Sequence, residues 1–511
     1  MSAEPAGRLA SIITPDATID QAELQHRASA AATGFTALGL GEGSTIAILM
    51  RNDIPFIEAS VAAQKIGAFA VPLNWHSTSS EILYVLNDCR PDLLVAQADL
   101  LTIPGLTLPD GLRVIAVATP PATAAAFRLP ATACSVPETV TDWEGFVTSH
   151  PPRTDPDGPA RGAIIYTSGT TGHPKGVKRD PMDASLLARN VRCFVDTYGL
   201  APDVRTLLVT PLYHASPGGF ARYAATRGEL LVLVPKFDPE QFLALIEKHR
   251  INTITAVPTM FVKLLKLPKE VRDRYDVSSL RWVSHTGAAC PVDVKKAMID
   301  WWGPILHEVY GGTEVGIAMH CTSDEWLTHP GTVGRVIDGA EIRILDEDGT
   351  PLPRGKTGEI YVRNPNYADF TYINLPEARA ETEKDGFISI GDVGWLDEDG
   401  FLFLGDRKRD MIIFGGTNIY PAEIESALVQ HPDVADCAVI GLPDPEFGEI
   451  VCAWVQPAKG ASPTETALTN FLGQTLARYK LPRQYHIVDA LPREESGKLM
   501  KRKLRATLAP G

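Results

Sequence analysis

A chain of 511 residues exceeds what one hydrophobic core supports, so two or more domains are expected, with interior enough for a large pocket. Apolar residues at 44% and charged residues at 22% are ordinary for a soluble globular protein, while a net charge of -14 repels polyanions and argues against nucleic acid as a main partner. The seven cysteines include no C-x-x-C pair, which disfavours zinc and fits reduced thiols in a cytoplasm. Neither a secretory start nor an apolar run near the ~18 residues of a spanning helix is present.

In chain order, helical apolar spacing over 21–40 leads to a strand at 45–50, a helix at 54–66 and a strand at 68–73. The alternation continues through 81–86 and 93–96, the pattern of a parallel sheet covered by helices, so the first unit reads as layered α/β. Between 119 and 159 the composition shifts to Ala, Pro and Thr, which reads as a long, poorly ordered surface connection.

That connection runs into Ala163-Ile164-Ile165 and then Tyr166-Thr167-Ser168-Gly169-Thr170-Thr171-Gly172-His173-Pro174-Lys175-Gly176. Four aliphatic hydroxyls, three glycines and the Lys175 cation make a phosphate cradle. Hydroxyls and open backbone N–H groups donate to oxyanions, and glycine permits close approach. The pattern is not that of ordinary nucleotide hydrolases: Pro174 stands where a glycine should precede the lysine, and no Ser or Thr follows Lys175.

A second α/β run follows, with helices at 184–198, 239–249, 260–266 and 292–302 and strands at 206–211, 230–234, 253–256 and 280–284. His214, in Pro211-Leu212-Tyr213-His214, lies just past a strand end, where such sheets place ligands; read alone, it is as readily a loop histidine satisfied by a carbonyl. The small residues of Gly287-Ala288-Ala289 let a ligand lie against backbone. Tyr310-Gly311-Gly312-Thr313-Glu314 ends a strand with an aromatic, a hydroxyl and a carboxylate, the set a magnesium nucleotide requires.

Strands at 340–345, 358–363 and 400–404, with acidic Asp-x-Asp-Gly turns, predict an antiparallel barrel or sheet. Gly391-Asp392 falls between these strands, and the charged 405–410 reads as a solvent-exposed linker. A small α+β unit begins near 408, with Gly415-Gly416, a helix at 422–430, strands at 437–441 and 450–456, and a helix at 464–477. Its end, Ser496-Gly497-Lys498 and a basic helix, reads alone as a solvated tail.

In this order and spacing, YTSGTTGHPKG, PLYH, YGGTE, Gly391-Asp392, and GDRKRDMIIFGGTNIYPAEIE with the terminal ESGKLMKR resemble the adenylate-forming superfamily. Its members are acyl-CoA synthetases, peptide-synthetase adenylation domains and luciferases, and the resemblance covers essentially the whole chain. It implies an α/β fold: a large N-terminal domain, 1–407, of two layered α/β sheets plus a small β-barrel, and a smaller mobile α+β domain, 408–511.

The resemblance also implies ATP, Mg2+ and coenzyme A. Thr167, Ser168, Gly169, Thr170, Thr171 and Lys175 would hold the β- and γ-phosphates. Tyr310 would stack on adenine and Thr313 contact the α-phosphate, with Gly287, Ala288, Gly311 and Gly312 in the same cofactor-binding set. Glu314 would hold Mg2+, and Asp392 and Arg407 the ribose. Lys498 would bring the substrate carboxylate and the α-phosphate together, screening two anions that must meet. The small domain would then turn about Arg409 and present Gly415-Gly416 to the phosphopantetheine thiol, with His214 gating the route from thiol to acyl group.

The implied activity is an acid:CoA ligase working through acyl-AMP, with loading of a carrier-protein phosphopantetheine as the alternative. A small-molecule carboxylic acid, ATP and CoA are then the partners, and a homodimer is left open. An amino-acid substrate is disfavoured, since 215–225 holds no Asp or Glu to meet an amine. By family analogy the acyl pocket is walled by 214–219, Gly287-Ala288-Ala289, Gly312, Val315 and Gly316, nearly all small or apolar. Gly312 stands where a larger side chain is common, so an open floor and a bulky hydrophobic monocarboxylate, aryl, long aliphatic or polycyclic, are expected. Lys178-Arg179-Asp180-Pro181 and Leu404 depart from the family pattern and are expected to stand clear of the chemistry.

Overall fold

The first apolar segments of the chain assemble a five-stranded sheet in the order Phe69–Pro72, Thr45–Leu49, Leu93–Gln97, Arg113–Val117, Thr141–Asp142, with every pairing parallel. Helices cover it, so its inner strands read as unbroken apolar runs; Leu93–Gln97 is buried at every position. The computed structural model describes residues 11–167, 174–407, 412–414, 417–444, 447–493 and 499–506. Helices Gln21–Ala37, Ile54–Lys65 and Ser79–Cys89 are each capped by a side chain, Asp20, Asp53 and Thr78 respectively, that accepts a hydrogen bond from a first-turn N–H.

The stretch 119–159 is not the loose connection its composition predicts. It contains helices Pro121–Phe127 and Trp143–Thr148 and the edge strand Thr141–Asp142. Trp143 and Phe146 are buried against Phe35, with ring centroids 6.1 and 5.9 Å away. The Trp143 indole N–H donates at 2.7 Å to the fully buried Glu58, which also accepts from Arg27 Nε at 2.5 Å. Three large apolar residues, Trp143, Phe146 and Val147, anchor a segment whose Ala, Pro and Thr content conceals them.

The second sheet is one continuous path. Its parallel half runs Ser11–Ile13, Leu230–Leu233, Arg205–Leu208, Thr253–Ala256, Trp282–His285, Leu306–Gly312. Direction then reverses through Gly316–Cys321 and Thr332–Val336 into an antiparallel row of Leu402–Arg407, Phe387–Leu396, Gly358–Arg363 and Glu341–Leu345. The antiparallel strands expected near the end of the large domain are therefore edge-joined to its second α/β sheet. Gly391-Asp392 lies inside Phe387–Leu396 rather than between strands, and 405–407 belongs to Leu402–Arg407 rather than to a linker.

The smaller C-terminal domain is built on Gly448–Pro457, which pairs antiparallel with Val434–Asp444 and parallel with Gln484–Ile487. Helices Pro421–Leu428 and Glu465–Leu472 bury Ile424, Leu428, Leu468 and Leu472 on it. Lys266 of the large domain donates to the carbonyls of Val434 and Ala435 at 2.9 and 2.8 Å. Among the described residues no helix is long and apolar enough to cross a membrane. Trp143→Phe, which keeps ring bulk but removes the donor to Glu58, is expected to cost about 1–3 kcal/mol, read as a lowered midpoint in urea unfolding.

Candidate active site

The loop read as a phosphate cradle is bracketed by a strand pair. Ile165–Thr167 and Lys175–Arg179 run antiparallel with Thr167 opposite Lys175, and Phe370–Tyr372 adds a third strand. Ser168, Gly169, Thr170 and Thr171 lie outside the described residues. The flanks converge on Glu314: Thr167 Oγ1 donates to Glu314 Oε1 at 3.2 Å, and the Tyr372 hydroxyl donates to the same oxygen at 3.1 Å. Burial and the Glu314 charge raise the Tyr372 phenol well above its ordinary range, which keeps it a donor. Lys175 is buried, its Nζ 5.0 Å from the Tyr372 ring centroid.

Arg179 holds the 313–314 turn. Its guanidinium donates to the carbonyls of Thr313 at 2.7 Å, Glu314 at 2.9 Å and Ala368 at 2.5 Å, and lies 5.1 Å from the Tyr367 ring centroid. Burial lowers its pKa, an effect that Tyr367 and Glu314 oppose. The departure at 178–181 thus does not stand clear of the site: Arg179 belongs to its frame. Sequence reasoning missed Arg179 and Tyr372 because neither carries a motif; only the three-stranded pairing brings them to Glu314.

On the opposite wall, the Tyr310 hydroxyl donates to Asp392 Oδ2 at 2.9 Å, and Asp392 is the cross-strand partner of Arg407. Asp392 and Arg407 therefore sit on neighbouring strands, and the Tyr310 side chain reaches Asp392 from Leu306–Gly312, farther along the same sheet. A bulge at Tyr310/Gly311 turns the chain, and a Cβ on Gly311 would lie 2.0 Å from the Gly316 carbonyl oxygen, so only glycine fits there. At Gly312 the expected open floor is narrowed by the tip of Ile390: an added Cβ would lie 2.8 Å from Ile390 Cδ1 and 3.6 Å from Glu314 Oε2.

His214 is the cap residue of helix Ala215–Arg227, its ring centroid 4.4 Å from that of Tyr213. The turn before it is fixed from the first sheet by Asn52, whose amide donates to the carbonyls of Thr210 at 3.1 Å and Val234 at 3.3 Å and accepts from Leu212 N at 3.1 Å. A cavity of about 2340 Å³ joins these groups. Thr167, Lys175, His214, Gly287, Ala288, residues 310–314 and Asp392 line it, as do Arg493, Leu499 and Lys501 of the small domain. Arg493 is clamped to Asp436 at 2.6 and 2.9 Å and bridges antiparallel to Leu499. Lys498, Arg409, Gly415 and Gly416 lie outside the described residues, and of Arg407 only the strand pairing is described.

Residues 2–369 match the family profile of AMP-binding enzymes and 423–498 that of the AMP-binding enzyme C-terminal domain. The chain belongs to the AMP-binding enzyme family. It is 33% identical to an indoleacetate–CoA ligase of Aromatoleum aromaticum over 505 residues, covering 97% of this chain and 94% of that protein. It is 31% identical to a long-chain-fatty-acid–CoA ligase of Mycobacterium tuberculosis over 513 residues, covering 98% and 95%. The solved amide bond synthetase McbA from Marinactinospora thermotolerans superposes with a TM-score of 0.80 at 29% identity, covering 98% of this chain and 97% of that one. Within the family, this chain is an AMP-forming acyl-CoA synthetase.

Lysine has no rigid fork with which to reach three carbonyls, so Arg179→Lys is expected to loosen the turn that carries Glu314. ATP affinity should fall roughly tenfold or more, as when one or two charge-assisted hydrogen bonds are lost, measured by calorimetric titration with folding checked by circular dichroism.

Proposed function

We propose that this synthetase activates a bulky, largely hydrophobic carboxylic acid as its acyl-AMP and transfers it to the thiol of coenzyme A. The observation that carries this reading is the shared wall: Glu314, held by Thr167 and Tyr372, and the Tyr310–Asp392 pair line one cavity with His214 and its helix. In the proposed assignment Thr167, Lys175 and the loop 168–171 hold the β- and γ-phosphates, Tyr310 the adenine, Asp392 and Arg407 the ribose, and Thr313 the α-phosphate. The buried Lys175 ammonium offsets phosphate charge, and its placement over the Tyr372 ring orients it.

Glu314 Oε1 takes both hydrogen bonds, and no described residue donates to Oε2, which supports a divalent cation at that oxygen. Mg2+ held there would neutralise charge on the leaving pyrophosphate. Lys498 is proposed to screen the carboxylate from the α-phosphate; Arg493 and Leu499 lining the cavity on either side of it support that assignment. We further assign 1–407 and 408–511 as the two working halves, turning about Arg409 so that Gly415-Gly416 meets the pantetheine arm and His214 gates it. Relatives named for indoleacetate and for long-chain fatty acids support a substrate with an apolar body. The seven free cysteines support a cytoplasmic setting.

A panel of carboxylic acids assayed for pyrophosphate release, with AMP release compared between CoA and a phosphopantetheinyl carrier protein, tests the proposal. CoA-dependent AMP release with an apolar acid is the expected result; release with the carrier alone would shift the acceptor, and no pyrophosphate from any acid would overturn the ligase reading. Lys498→Ala is expected to slow adenylate formation roughly a hundredfold or more while sparing thioester formation from preformed acyl-AMP. Equal losses in both half-reactions, with folding intact, would remove Lys498 from this role.

A further inference from the structure

The cavity does not stop at His214. It follows helix Ala215–Arg227 along its length, where Ala215, Gly218, Gly219, Arg222 and Thr226 are among the residues that line it, while Phe220, Ala224 and Ala225 are buried in the core. The opposing helix Ala184–Tyr198 is tied to this one by Ser216 Oγ donating to the Tyr198 hydroxyl at 2.6 Å, and a Cβ on Gly219 would come 3.1 Å from the Phe194 ring. The two glycines thus let the helix pack closely, Gly218 against the Leu212 carbonyl and Gly219 against the Phe194 ring, which forms an aromatic wall of the cavity. Within this channel stands Arg222, two turns down the helix from His214.

Among the described residues Arg222 has neither a hydrogen-bond partner nor an ion-pair partner for its guanidinium. Burial alone lowers its pKa, with no acid opposing; Asp196 on the facing helix acts instead on Cys193. Arg222 is half-buried and lines the cavity, so its planar guanidinium fork is placed to meet a bound carboxylate bidentately.

We propose that the acid activated here carries a second carboxylate, and that Arg222 receives it at the far end of the channel. This rests on the proposed acyl site beside His214 and deepens it. Arg222 stands eight positions after the cap residue His214, a rise of ~12 Å along the helix. Extended chain covers ~3.3–3.6 Å per three bonds, so the two carboxyl groups stand roughly ten bonds apart along an apolar spacer. The monocarboxylate expected from the sequence is thereby revised, because the segment then taken as the pocket wall ended at Gly219, one turn short of Arg222.

The test is a ladder of straight-chain acids of about eight to fourteen carbons, bracketing that span, each as monocarboxylate, ω-hydroxy acid and α,ω-dicarboxylate, with kcat/KM for pyrophosphate release measured on the full-length enzyme. The wild type is expected to favour dicarboxylates near ten to twelve carbons by roughly tenfold or more over monocarboxylates of equal length. Arg222→Met is expected to lose roughly a hundredfold on the dicarboxylate while keeping or gaining activity on the monocarboxylate, and Arg222→Lys to fall between. A wild type that prefers the monocarboxylate or ω-hydroxy acid at every length, or an Arg222→Met variant that lowers both series alike with its fold intact, would overturn the assignment. Should Arg222→Met fail to fold, the wild-type ladder and Arg222→Lys decide alone. Monocarboxylates giving CoA-dependent AMP release would leave the ligase reading standing while this inference falls; no pyrophosphate from any acid removes both.

Discussion

Three main-chain carbonyls, those of Thr313, Glu314 and Ala368, converge on one half-buried guanidinium, and the geometry of the nucleotide side of the cavity depends on that convergence. Such an arginine usually pairs with a carboxylate; here carbonyl dipoles and the Tyr367 ring take that place, leaving the Glu314 carboxylate to face the cavity. Each charge-assisted bond contributes about 1.5–3 kcal/mol, and each is lost if the turn moves. Because Arg179 ends the strand that begins at Lys175, the same element that carries the phosphate loop fixes the turn it must face. Loop and carboxylate are therefore positioned by one piece of backbone.

The acyl side is positioned by a different device. Asn52, at the end of the first sheet's central region, spends both amide hydrogens and its oxygen on the backbone at Thr210, Val234 and Leu212. These groups would otherwise be unsatisfied in a buried crossing between two sheets, so a single side chain joins the sheets and fixes the start of the helix that carries His214. Two α/β layers that could fold separately are thereby locked at the point where the cavity opens between them.

Much of this was legible in the sequence, and the parts that were not share a cause. Helices Gln21–Ala37 and Ala184–Tyr198 and the parallel strands announce themselves through local periodicity, and the hydroxyl-rich loop and Tyr310-Gly311-Gly312-Thr313-Glu314 through concentrated chemistry. Strand Phe387–Leu396 was hidden because Gly391-Asp392 breaks its apolar alternation where the strand meets the cavity. Trp143–Thr148 was hidden by the small residues around it. Arg179, Tyr372, Asn52 and Arg222 give no local signal at all, because their partners lie far away in the chain or, for Arg222, outside it. The direction of Gly312 toward Ile390 depends on a bulge that spacing does not reveal.

The pairing of Ser11–Ile13 with Leu230–Leu233 bears on how the chain is made. The strand Ser11–Ile13, at the end of the parallel run of the second sheet, is synthesised more than two hundred residues before its partner. At about 5–20 residues per second, that is a wait on the order of tens of seconds. During that time the five-stranded parallel sheet can complete itself, since its strands lie between Thr45 and Asp142. The early strand of the second sheet has to wait for its partner, so synthesis imposes an order on the two layers that their final packing conceals.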